Sequence, residues 1–543
     1  LKELNLFERL EREFFNTWAR LHPIWASSIG LHEYDHLLPE YSLHGKLLEI
    51  QQLHRFLKRF TRINPKDFPP NRVIDLKLAQ YIINLKLFVG EEIRLWESAP
   101  KLSTLIGTSI FQILSRNYAP IKRRLRSLLH RLRGIPELIH RSKTRLRSPV
   151  KCFVEIELEG ITRLPGFFNM LRDIARENMG YTFCAELNKN IEKILDGLDE
   201  YCDWLIIDVL PICRTDFHIG DRMFTRLLKL RGIDLELDQL IEFAQQELVV
   251  LEAKLKSVAR RIRRGASVED VREFIRSQRP DKFDEALQYV RESVQNTRQF
   301  VAETQFAPIP SNENLYVIET PSYLRHLMPF GAYSGPAKFE KMQNGYFYVT
   351  PSDTDRERLR EHDYAKLANM VVHEGYPGHH LQLTWANQHP SLFRIFADAY
   401  ETVEGWALYC EDRMRQLGYE DTATSEFVYL QDLIWRVIRI PIDIRLGTGK
   451  ISTQEAVNCL IDSVGMDRSA AEAEIRRYVL DPGQALSYLY GKQKIQQLRK
   501  FAQRELGNQY SDLSFHEIIL RAGGLPFTLL QEELAYKIRT IKR

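Results

Sequence analysis

Apolar residues three and four positions apart recur along nearly the whole chain, and that period restricts the fold class more than any other feature. Leu6-Phe7-Leu10, Leu47-Ile50-Leu53 and Leu240-Phe243-Ala244-Leu248-Leu251-Leu255 all carry it. Such a stripe faces one side only on an α-helix, because a strand changes sides at every residue. Helix stops are expected at Gly134-Ile135-Pro136, Ser148-Pro149, Gly265 and Arg279-Pro280. The texture changes once, over about 307–351, which is rich in Pro, Gly, Asn and Tyr. Within it, Leu315-Tyr316-Val317-Ile318 and Tyr346-Phe347-Tyr348-Val349 read as short strands, the second introduced by Asn344-Gly345. Helices are expected to resume near Asp355. The chain therefore reads as mainly α with a small β element. An N-terminal helical lobe over 1–306 and a second lobe over 307–543 are expected to pack as one intertwined body.

The 543 residues are enough for a large core, and 44% hydrophobic with 27% charged is ordinary for a globular chain. No apolar run reaches the length of a membrane span. A net charge of +4 is too small for this length to argue for a nucleic-acid partner. Locally, 122–151 and Arg260-Arg261-Ile262-Arg263-Arg264 are strongly basic, with Leu and Ile interleaved. They read as solvated helix faces whose long side chains cover apolar surface, with an anion, membrane-surface or acidic-partner site as the alternative. The six cysteines (Cys152, Cys184, Cys202, Cys213, Cys410, Cys459) are scattered, with no C-x-x-C pair. That pattern suggests reduced thiols and a cytoplasmic setting. The N-terminus reads as the start of an amphipathic helix rather than a signal peptide.

The chemistry is concentrated in Val371-Val372-His373-Glu374-Gly375-Tyr376-Pro377-Gly378-His379-His380. Tyr364, Leu367, Ala368 and Val371 form an apolar stripe that Met370 and Val372 widen, so the end of this helix is expected to be buried. A buried His and Glu need partners, and neutral imidazole is the commonest metal ligand. The arrangement is a stretched form of H-E-x-x-H, in which two histidines one turn apart bind zinc and the Glu acts as base. Here the residue four after His373 is Pro377, which cannot ligate. The inserted Pro377-Gly378 would bring His379 to the vacated place; it is preferred over His380, which would then line the cleft. A helix over 398–417, closed by Gly418, supplies Glu404 as third ligand. Gly405 beside it costs about 1 kcal/mol inside a helix, so a metal ligand or another backbone is expected to need its space. Glu401, one turn earlier, is the rival ligand or a partner that orients a histidine.

His-Glu-Gly-Tyr-Pro-Gly-His-His-Leu-Gln (373–382) and Val-Glu-Gly-Trp-Ala-Leu-Tyr (403–409) resemble the signatures of the bacterial family known as domain of unknown function 885. Leu31-His32-Glu33-Tyr34-Asp35 near the N-terminus and Gly483-Gln484-Ala485-Leu486-Ser487-Tyr488-Leu489-Tyr490-Gly491 near the C-terminus extend the likeness to almost the whole chain. After Asp443 the chain departs from it, with Ile444-Arg445-Leu446-Gly447 where a Gly and a His are expected. The resemblance implies a helical zinc peptidase of gluzincin type, with two His and one Glu as ligands and two helical lobes flanking a deep cleft. It implies no particular substrate.

With zinc on His373, His379 and Glu404, Glu374 is the expected general base on metal-activated water, attacking a peptide bond. Tyr488 is the first candidate to donate a hydrogen bond to the oxyanion, with Tyr490 and His380 as the others. The expected function is a zinc-dependent peptidase. The alternatives are a metal-dependent hydrolase of another amide or ester, and a non-catalytic helical binding protein with a structural metal. The strand-bearing segment could pair along its edge with an extended peptide substrate, or could be a plain hairpin.

Overall fold

The structure, a computed structural model, describes residues 2–320, 331–351, 359 and 362–543. It is mainly α-helical, with one three-stranded sheet among the described residues. The chain forms two compact units. The first is Leu1–Phe68, Ala79–His218 and Ala337–Glu340; the second is Pro69–Leu78, Ile219–Pro336 and Lys341–Arg543. These are not the segments 1–306 and 307–543 expected from texture. A change in composition reports local structure, whereas the units follow packing, and packing groups the helices of 219–306 with the C-terminal part.

In the first unit, α1 (Lys2–Leu21), α2 (Leu43–Thr61), α3 (Ile121–Ser142) and α4 (Tyr181–Trp204) bury their apolar stripes. Phe14 of α1 meets Phe56 of α2 edge to face at 5.2 Å, and Phe7 meets Phe60 at 6.0 Å. The break expected at Gly134-Ile135-Pro136 does not occur, and α3 continues through Pro136. Leu128, Leu132, Ile135 and Ile139 are buried on both sides of the proline, and that burial offsets the helical hydrogen bond Pro cannot make. The basic stretch departs from a plain solvated face. Arg131 is wholly buried and donates to Leu37 O (3.0 Å), Ser27 Oγ (2.7 Å) and Ser109 O. Arg124 donates to Ile113 O and Leu114 O, closing the turn before α3.

The second unit holds α5 (Leu237–Ile262), α6 (Phe283–Glu303), β1 (Glu313–Glu319), β2 (Gly331–Ser334) and β3 (Gln343–Val349). They are followed by α7 (Tyr364–Glu374), α8 (His379–Ala386), α9 (Tyr400–Gln416), α10 (Ala423–Gly447) and α11 (Ser487–Leu506). Its core is made chiefly where α9 packs on α11 and α5 on α10. The sheet order is β1-β3-β2, with β1 parallel and β2 antiparallel to β3. Both expected strands fall inside β1 and β3. Asn344-Gly345 is not a turn: it lies within β3, paired with Asn314 and Leu315. The expected resumption near Asp355 lies outside the described residues. The helix α7 begins at Tyr364, with the Asp363 carboxylate accepting from Lys366 N as its cap. As expected, α9 closes at Gly418, whose φ of +95° suits glycine.

Candidate metal centre

The two histidines are brought together by a turn rather than by a bulge in one helix. The helix α7 ends at Glu374 and α8 starts at His379. Between them the Tyr376–Pro377 peptide is cis, and Gly378 N donates to Val372 O (3.1 Å). A Cβ on Gly378 would overlap the carbonyl oxygens of His373 and Val372, so only glycine lets the chain return this closely. His373 thus sits in the last turn of α7 and His379 in the first of α8, with ring centroids 4.8 Å apart at 89°.

Glu404 arrives from α9, and its position depends on a close helix crossing. A Cβ on Gly405 would overlap the Gly491 backbone of α11, and one on Gly491 would overlap the Glu401 carbonyl. The space expected beside Gly405 is therefore filled by another backbone. Glu404 Oε2 lies 3.3 Å from His379 Nε2 and 3.6 Å from His373 Nε2. The three ligand atoms all lie within 4.8 Å of one another. A tetrahedral zinc with bonds of about 2.0–2.2 Å would space its ligands by roughly 3.3–3.6 Å, and both histidine–Glu404 distances match that spacing.

The partner that orients His373 is Glu411, not Glu401. His373 Nδ1 donates to Glu411 Oε1 (2.6 Å), which leaves Nε2 directed at Glu404. Asn369 supports the same carboxylate from α7 at 3.0 Å. Glu401 instead binds Arg231, which also donates to Gly483 O (2.8 Å) and Ser487 Oγ (2.7 Å). It ties α9 to the start of α11 and orients no histidine. Glu411 lies two turns after Glu404 on the same stripe, which is the signal by which it could have been found. Burial opposes charging of His373, but hydrogen bonds to Glu404 and Glu411 outweigh it and push its pKa up to about 10. Despite burial, these imidazole contacts hold Glu404 well below the usual carboxylate range and lower Glu411. The pair of carboxylates is built to face a cation, whether a proton on His373 or a metal ion.

A cavity of about 300 Å³ opens on this group, lined among others by His373, Glu374, Glu411, Arg436 and Tyr488. Tyr488 is one turn before Gly491, so the same close crossing carries it to the wall. Its hydroxyl lies 3.5 Å from Gln484 Nε2. Burial raises its pKa, and the nearby Glu404 charge adds to that, keeping the hydroxyl protonated as a donor. Tyr490 lines a different pocket, with Gln493 and Lys494, and is not brought to the histidines. His380 does not line the cavity wall as expected. It is wholly buried, and its nitrogens are engaged by Glu313 (2.7 Å) and the Tyr333 hydroxyl (2.9 Å). Tyr376 also donates to Glu313, and Arg298 Nε does so at 3.1 Å. A Cβ on Gly345 would overlap His380, which explains a glycine within β3. Asp443, just before the stretch where the family likeness fails, accepts from Gly483 N (2.9 Å) and Leu486 N (3.0 Å) and holds the turn before α11.

The sequence profile of the family described as "Bacterial protein of unknown function (DUF885)" matches residues 23–534. No curated protein sequence matches the chain. A solved structure from Shewanella oneidensis, described as a "putative lipoprotein of unknown function", superposes with a TM-score of 0.78 at 22% identity, covering 97% of this chain and 98% of that one. A "putative lipoprotein" from Colwellia psychrerythraea superposes with a TM-score of 0.84 at 18% identity, covering 99% of both chains. These two share the fold. Their lipoprotein descriptions overturn the cytoplasmic setting read from the cysteines. All six thiols are free, but a chain this large builds its core without disulfides, so free thiols specify no compartment. Among the described residues no helix is long and apolar enough to cross a membrane.

Proposed function

This chain belongs to the bacterial family of domain of unknown function 885, and we propose that it is a zinc-dependent hydrolase of peptide bonds, similar in its chemistry to gluzincins. One observation carries the reading: His373, His379 and Glu404 converge at metal-binding spacing, and Glu374, the residue after the first ligand, lines the cavity beside them. A structural zinc site is usually closed by four protein ligands, whereas this group offers three and opens on a cavity.

His373 Nε2, His379 Nε2 and the Glu404 carboxylate would hold the ion. When bound, zinc would supply Lewis-acid polarisation of the substrate carbonyl and acidify a water to a pKa near about 7. Glu374 takes the proton from the attacking water and delivers it to the leaving nitrogen. Tyr488 donates to the carbonyl oxygen as negative charge develops there. Glu411 keeps the His373 ring in the tautomer and orientation that ligation needs. An extended peptide beside β2, a sheet-edge strand whose Gly331 lines the cavity, would find backbone groups to pair with. The lipoprotein descriptions of the two structural neighbours favour an extracytoplasmic, membrane-attached setting for this activity.

The test is a mixed peptide library incubated with zinc-loaded protein and with its Glu374→Gln variant, read by mass spectrometry. Cleavage by the parent and its loss in the variant, with zinc equally bound, is the expected result. An intact library in both samples would sink the peptidase reading.

A further inference from the structure

Beyond the metal group, one wall of the same cavity is made by donors within about one turn of α10: Trp435, Arg436 and Arg439. Each leaves a side-chain N–H unpaired. Arg439 is only 3% exposed; it donates through Nε to the Tyr478 hydroxyl (2.8 Å) and through Nη2 to Glu474 (3.2 Å). Its Nη1 is buried without a hydrogen-bond partner. Arg436, 9% exposed, gives Nη1 to Asp432 O (3.1 Å), while its Nε is buried and unpartnered. Trp435 Nε1, an obligate donor, is buried and unpartnered as well. Arg439 therefore spends two of its nitrogens on the protein and Arg436 one, and each keeps another N–H unspent.

The three side chains also brace one another. The Arg439 guanidinium lies 3.9 Å from the Trp435 ring centroid and 4.6 Å from that of Tyr488. Stacking of this kind holds the planar forks in place and reduces the entropy lost when a ligand is bound. Tyr488 is shared, because it lines the cavity with His373 and Glu374. An unpaired buried donor is costly, so three such N–H groups along one wall favour an acceptor there, a bound water or a ligand oxygen. Planar acceptors with two oxygens match guanidinium N–H groups best.

We propose that Trp435, Arg436 and Arg439 form a seat for a substrate carboxylate, so that the peptides bound here carry a free carboxylate close to the bond presented to His373, His379 and Glu404. This rests on the hydrolase reading for its substrate but not for the existence of the seat. The carboxylate has two sources, the C-terminus of a peptide or an Asp or Glu side chain.

Binding of three probes to the full chain separates these sources: benzoyl-Gly-Phe, its C-terminal amide, and benzoyl-Glu-Phe amide. Calorimetric titrations are made with zinc-loaded Glu374→Gln protein and with chelator-treated parent. The expected result is that benzoyl-Gly-Phe binds at least about tenfold more tightly than its amide in both preparations. Recovery of tight binding by benzoyl-Glu-Phe amide would support the seat and assign it to an acidic side chain. Arg439→Gln and Trp435→Phe should each reduce the preference with zinc content unchanged; Arg439→Gln also loses its Tyr478 and Glu474 contacts and should melt at a lower temperature. Trp435→Phe keeps an aromatic face while removing the N–H together with the five-membered half of the indole, and it decides the matter if Arg439→Gln does not fold. Equal binding of all three probes overturns the seat, as does a preference untouched by Trp435→Phe. Because the chelated protein is tested too, a failure of the zinc reading leaves this outcome legible by itself.

Discussion

Each unit of this protein buries charged residues, and the two do so to opposite ends. In the first unit Glu157, 2% exposed, accepts from Ser103 N (2.7 Å) and Ser103 Oγ (2.8 Å), and no cation faces it among the described groups that shift it. Burial prevails over these hydrogen bonds and raises its pKa to about 7. Arg131 in the same unit is satisfied by backbone and hydroxyl oxygens. In the second unit Glu411 is just as enclosed and Glu404 partly so, yet facing imidazoles lower both. His379 Nδ1 meanwhile stays buried without a partner. The first arrangement is closed and holds elements together. The second gathers donors around a common point beside a cavity, at a cost in stability that a structural role would not require.

The contrast breaks most sharply at the metal. Isolated protein is expected to retain about one zinc per chain, and His373→Ala or Glu404→Ala to abolish tight retention, by elemental analysis after dialysis. Full occupancy in both variants would discard the ligand set and make the two units alike. Next in size is the base: Glu374→Gln should keep zinc and lower hydrolysis by a factor on the order of 10² or more. Undiminished turnover would remove Glu374 from the mechanism.

Glu157 sharpens the other side. Its folded pKa of about 7 lies above the ordinary 4.5, so below pH 4.5 it is protonated in both states and carries no penalty. As pH rises from 4.5 to about 7 the unfolded chain loses this proton first, and stability falls. The loss should reach roughly 3 kcal/mol. Glu157→Gln should remove that slope in urea melts across this pH range and leave zinc content alone. An unchanged slope would mean the carboxylate is charged and compensated in the fold.

The smallest effect separates two carboxylates on one helix. Glu411→Gln should weaken zinc affinity by about 10–100-fold through loss of the His373 contact, while Glu401→Gln leaves it unchanged. Competition with a chromogenic chelator measures both, and the reverse order would restore Glu401 as the orienting residue.

The helical class, the strands around Leu315 and Tyr346, and the closure of α9 at Gly418 were all legible in the sequence, because each depends on residues a few positions apart. So was the membership of the group His373, His379 and Glu404, since a buried His-Glu end and a glycine-flanked Glu are local signals. Other features are decided between elements. Glu401 and Glu411 look equivalent along the α9 stripe, and only the approach of Gly405 to Gly491 assigns one to Arg231 and the other to His373. The same approach sets Tyr488 on the cavity wall and leaves Tyr490 elsewhere, although they are two residues apart. Glu313 gave no warning that it would meet His380, and the four residues of β2 are too few for a period to show. Spacing along one helix determines which side chains share a face. What that face meets depends on how closely another backbone can come, and here tertiary packing alone decided that.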